Sequence, residues 1–98
     1  MRKSDRTKER ILDAAVIIAE TDGLMNITRA EIAHHAQCAE GLINKYYGTM
    51  KQLRRDIMRH AIAVQNLELI AQGLAAKDPR AMAIEPALKR RAINAVMG

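Results

Sequence analysis

The chain has 98 residues, 16 of them lysine or arginine against 11 aspartate or glutamate, for a formal net charge of +5. Such a chain can bury enough apolar surface to fold without metals or disulfides, its single cysteine rules out an intramolecular disulfide, and the excess of positive charge favours a polyanionic partner. No apolar run is long enough for a signal peptide or a membrane span, so a cytoplasmic protein with no membrane partner is expected, and two tyrosines as the only aromatics argue against stacking platforms for single strands.

The first predicted helix runs from about residue 4 to 21, with Ser4 or Asp5 as its cap. Ile11, Ala15 and Ile18 recur on one side, and Leu12, Val16 and Ala19 broaden that stripe. Gly23 is a plausible stop. Arg2, Lys3, Arg6, Lys8 and Arg10 crowd its start and form a basic extension able to reach a groove or a phosphate. After a short connection over 24–27, Thr28 and Glu31 have the spacing of a capping box, which predicts a second helix opening at Arg29. Ile32, Ala33 and Ala36 then turn inward, while Arg29 and the backbone N–H groups near Thr28 face outward, a position suited to a phosphate oxygen.

His34, His35 and Cys38 invite a metal reading. Adjacent histidines point to different helix faces and no further ligand pair follows at a recognisable spacing, so polar surface residues are the better reading and no metal or other cofactor is expected. Residues 37–40 interrupt the apolar run, and a further short helix follows through Tyr47. Its first turn presents Glu40, Gly41 and Leu42, its second Asn44 and Lys45, with Ile43 and Tyr47 turned inward. Two short helices joined by a tight turn are what a helix-turn-helix requires.

Over about residues 6–53 the sequence resembles the tetracycline-repressor-like (TetR) transcriptional regulators. The resemblance rests on the ILDAA run at 11–15, Asp22-Gly23, Ile27-Thr28, Ile32-Ala33, Ala36, Gly41, Ile43, Tyr47 and the residues 51–53 that open the next helix. It implies a three-helix DNA-binding head over residues 1–53. Thr28, Arg29, Ala39, Glu40, Gly41, Leu42, Asn44, Lys45, Tyr46 and Lys51 are then the candidate DNA-binding residues. In the major groove Leu42 could touch a thymine methyl, Asn44 pair with adenine and Glu40 accept from cytosine; alternatively Glu40 pairs with Lys45 or Arg29. Tyr46 either touches phosphate or packs on the first helix. The chain departs from the family pattern at Gln37, where glycine is usual in the turn, at Ala39, which cannot cap by its side chain, at Asn44 for a frequent tyrosine, and at Met50 for a frequent lysine. A non-glycine residue held at positive φ at position 37 would cost about 1 kcal/mol, unless the turn is reshaped.

Beyond the motif, Met50, Leu53, Ile57, Ala61, Val64, Leu67 or Glu68, and Ala71 recur at spacings of three and four, which predicts a long fourth helix over 50–75, loosened at Gly73. A second stripe through Met58, Ile62, Leu69 and Ile70 needs its own cover. Asp78-Pro79 is a stop and restart; a short helix over 80–85 and a last one from Pro86 to Met97 complete an all-α fold. Residues 54–98 are too few to wall a drug-sized cavity, so no small-molecule inducer is expected. They are expected instead to pair two chains as a homodimer through Ile57, Ala61, Val64, Leu69, Leu88 and Ile93. The function implied is a dimeric repressor that binds double-stranded DNA and acts by occupying its operator. The competing reading is a protein-interaction module, such as an antirepressor, that keeps the fold without DNA binding. No arrangement of nucleophile, base and orienting group points to an enzyme.

Overall fold

The computed structural model describes residues 3–97, with side chains from residue 5 onward, and is all-α: seven helices and one 3₁₀ turn occur among these residues, and no strand. The chain divides into two compact units, Met1–Arg54 and Arg55–Gly98. The boundary falls within the fourth helix.

In the first unit, α1 (Lys3–Asp22) packs on α2 (Arg29–Ala36), on the 3₁₀ turn (Leu24–Asn26) and on α3 (Glu40–Tyr47). Ile11, Ala14, Ala15, Ile18 and Ala19 form its inward face. The three alanines on that face let neighbouring helices approach closely, and Ile11 and Ile18 fill the space between. From the other elements come Leu24, Ile27, Ile32, Ala33, Ala36, Ile43, Tyr47 and Leu53, all buried. α1 begins at Lys3, so Asp5 lies in its first turn rather than before it. The side chain of Ser4, the other expected cap, lies outside the described residues, as do Arg2 and the side chain of Lys3. Gly23 follows α1 at φ 103° and ψ 140°, a conformation open in practice only to glycine.

The expected long fourth helix is instead two. α4 covers Met50–Ala63 and α5 covers Leu67–Ala75. Two features stop α4. Gln65 adopts φ 55°, and the N–H groups of Gln65 and Asn66 turn back to the carbonyls of Ile62 and Ala61 at 3.2 and 2.7 Å, which is a Schellman closure. Asn66 then starts α5 afresh, its side-chain oxygen accepting from the N–H of Leu69 at 3.2 Å. At the other end of α5, Lys77 (φ 57°) closes the helix in the same way, with Lys77 and Asp78 donating to Leu74 and Gly73. Asp78 caps the one-turn α6 (Pro79–Met82), accepting from Arg80 and Ala81, and α7 runs over Pro86–Met97.

α5 packs on α6 and α7. The residues buried in the second unit are Ile57, Met58, Ala61, Leu69, Ile70, Gly73, Ala81, Leu88 and Ala92. This corrects the expected pairing surface: Ile57, Ala61 and Leu69 are wholly buried and Leu88 nearly so within a single chain. Of the six residues assigned to it, only Val64 and Ile93 remain exposed. Most of the second apolar stripe is satisfied in the same way: Met58, Leu69 and Ile70 have no exposed surface, while Ile62 is half-buried.

Candidate nucleic-acid interface

The candidate site lies wholly in the first unit, on two eight-residue helices joined by the turn 37–39. Thr28 caps α2. Its hydroxyl accepts from the N–H of Glu31 at 3.2 Å and donates to Glu31 Oε1 at 3.0 Å. The carboxylate is therefore engaged by the hydroxyl rather than by a backbone N–H, which leaves half of the expected capping box unmade.

α2 ends at Gln37, and the turn keeps the shape that usually calls for glycine. Gln37 adopts φ 56° and ψ 52°, while the N–H groups of Gln37 and Cys38 donate to His34 and Ala33 at 3.2 and 3.0 Å. A second element stabilises this turn from a distance. Arg10 of α1 donates to the carbonyl of Ala36 at 2.6 Å and to that of Gln37 at 3.3 Å. A guanidinium placed at the negative end of a helix satisfies carbonyls that α2 leaves open. Arg10 is thus an internal fastener rather than a free basic residue. Its partners lie 26 and 27 positions away, and no local pattern announces such a contact. Cys38 is half-buried and, with Ala33, His34, Gln37 and Ala39, lines an open depression on the turn. No group of three or more potential metal ligands occurs among the described residues.

α3 starts without a side-chain cap: Ala39 contributes only its carbonyl, which accepts from Leu42 at 3.0 Å. Ile43 and Tyr47 are buried, whereas Glu40, Gly41, Asn44 and Lys45 are exposed and Leu42 and Tyr46 half-buried. The face expected to meet a ligand therefore stands free on the protein surface. Gly41 is its most informative position. Beyond its chain neighbours and the backbone of its own helix, no heavy atom lies within 4 Å of where a Cβ would stand, so the interior of the protein gives no reason for a glycine there. Glu40 makes no ion pair with Lys45 or Arg29 among the described residues, which leaves an unpaired carboxylate on this surface.

Tyr47 holds α3 against α1. Its hydroxyl donates to the carbonyl of Lys8 at 2.8 Å, and the Lys8 ammonium lies 5.4 Å from its ring centroid. Tyr46, one position earlier and on the outer side, carries Lys45 at 5.6 Å from its ring. Gly48 (φ 75°) ends the helix. Thr49 and Gln52 then form a complete reciprocal capping box for α4, at 3.0 and 3.1 Å. The Thr-x-x-Gln spacing at 49–52 carried that signal in full. Lys51 is exposed in the first turn of α4. Arg29 is only half-buried rather than fully outward, and its Nε–H is buried without a hydrogen-bond partner. Compared with protein-family models, with curated proteins and with solved structures, the chain matches none.

Proposed function

We propose that the chain binds double-stranded DNA by placing the outer face of α3 in the major groove, and that it regulates transcription by occupying its site. The observation that carries this reading is Gly41. A glycine in a helix interior costs about 1 kcal/mol relative to alanine; Gly41, in the first turn of α3, bears part of that cost, and nothing in the protein needs the missing side chain. A surface pressed against α3 does need it, as the backbone of a duplex groove would be. Lys45 and Lys51, both exposed, supply the phosphate contacts, together with the guanidinium of Arg29. Asn44 and Leu42 are the candidates for reading base edges. Ile57, Ala61, Leu69 and Leu88 have no part in joining two chains, since the chain's own packing covers them.

The test is titration of labelled random duplex at two salt concentrations with the wild-type chain and Gly41→Ala. Binding that weakens steeply with salt, and that Gly41→Ala weakens further while the fold is retained, supports the reading. Salt-independent binding, or equal affinity of the two proteins, removes it. One specific observation favours the competing reading, a protein-interaction module of the same fold: the unpaired Glu40 carboxylate would repel phosphates unless a cytosine amino group receives it. A chain that binds no duplex at either salt concentration follows the competing reading, and for one that does bind, Glu40→Gln separates the two roles of this carboxylate. Uniformly tighter binding to all duplexes identifies Glu40 as a repulsive bystander, whereas loss of preference at a single base pair identifies it as a reader.

A further inference from the structure

We infer that the outer face of α7 is a docking surface for an acidic amphipathic helix of a partner protein. The helix is held to the second unit by Leu88 and Ala92, both buried. Past this anchorage Ile93, Val96 and Met97 stand 43%, 55% and 80% exposed. Lys89 and Arg90 precede Ile93 by four and three positions, so they lie on the same flank and border the apolar strip. No aspartate or glutamate occurs in α7, and neither Lys89 nor Arg90 forms an ion pair among the described residues. Arg91, on another side, donates to Gln65 Oε1 at 3.3 Å and belongs to the internal packing.

An apolar strip with an unneutralised cationic border selects its occupant by charge. A second copy is disfavoured, because α7 holds no carboxylate to set against Lys89 and Arg90 and a two-fold pairing of this patch would only gather more positive charge. A bilayer gains little from three exposed apolar side chains on a helix whose other face is already occupied by α5. An acidic amphipathic helix satisfies both parts: its apolar residues at i, i+3, i+4 and i+7 cover Ile93, Val96 and Met97, and its carboxylates meet Lys89 and Arg90.

The experiment titrates the full chain against two labelled synthetic helices of about 18 residues, long enough to form a stable helix in water. They share one leucine pattern, with glutamate in one replaced by lysine in the other. Phosphatidylserine vesicles and sedimentation of the chain alone serve as separate arms. The glutamate helix is expected to bind and the lysine helix not. The double variant Lys89→Glu, Arg90→Glu should weaken the first by about tenfold and begin to bind the second, a reversal that a merely unfolded protein cannot produce. Ile93→Ser with Val96→Ser should weaken the glutamate helix by a similar factor. Equal binding of both helices, or a preference unmoved by charge reversal, overturns the inference. So does binding to vesicles or to a second copy that the same variants abolish while neither peptide binds.

Discussion

Three residues do what glycine ordinarily does. Gln37, Gln65 and Lys77 all sit in the left-handed region, at φ 56°, 55° and 57°, and each closes a helix through the same pair of backbone hydrogen bonds. The left-handed conformation costs a residue with a Cβ about 1–2 kcal/mol, and part of this is recovered because glycine loses more entropy on folding. Gln37→Gly should therefore raise stability by about 0.5–1 kcal/mol, with the backbone unchanged, and Gln65→Gly and Lys77→Gly should act in the same direction; urea denaturation checks each. The opposite holds at Gly73. A Cβ there would stand 2.5 Å from Met58 Cε and 3.0 Å from the Cβ of Ala81, in a region where Met58 has no exposed surface into which it could move. Gly73→Ala gains helix propensity but overpacks this crossing, which costs about 1–3 kcal/mol, so its melting temperature should fall. Gly73 was readable as a glycine in a helical pattern; that a methionine fills its space was not, since the contact depends on where the chain goes after residue 63.

Among the elements, the helices divide by how local their signals are. α2, α6 and α7 were legible because their starts are written in adjacent residues: Thr28 with Glu31, Asp78 with Pro79, and Pro86. The division of α4 from α5 was not. The apolar spacing passes through residues 64–66 almost in phase, so the periodicity gives no warning, and the residue that turns the chain, Gln65, is not a customary helix stop. The one local clue is Asn66, whose side chain caps α5. Asn66→Ala removes that cap and should destabilise the chain by about 1 kcal/mol. If thermal melts of the two proteins coincide, the restart is specified by packing of Leu69 and Ile70 rather than by the cap. α3 is positioned from outside itself, by the Tyr47 hydroxyl on Lys8 and by Arg10 at the end of α2. Sequence patterns placed Glu40, Gly41, Asn44 and Lys45 on the exposed side, whereas Leu42, expected with them, is half-buried; the contacts that hold the helix are long-range and left no local trace.

For the whole molecule, the count of basic residues overstates how many are free to meet a polyanion. The proposed duplex contacts of the first unit depend on a small number of exposed cations, with Arg10 engaged internally and Lys8 lying over Tyr47. Lys45→Ala and Lys51→Ala should each weaken binding to every duplex and lower the slope of log affinity against log salt by about one for each phosphate that the variant no longer neutralises. Unchanged slopes would take those residues out of the contact set. In the second unit four of the six apolar residues expected to join two chains, Ile57, Ala61, Leu69 and Leu88, are consumed internally. Periodicity can say that a face must be covered. It cannot say by what.

The open space above Gly41 has a bearing on how this protein would respond to engineering. A screen for heat resistance alone would reward any side chain at that position, alanine first, and would register each replacement as an improvement. If α3 meets its target as proposed, the same screen would be dismantling the place where that helix has kept itself thin.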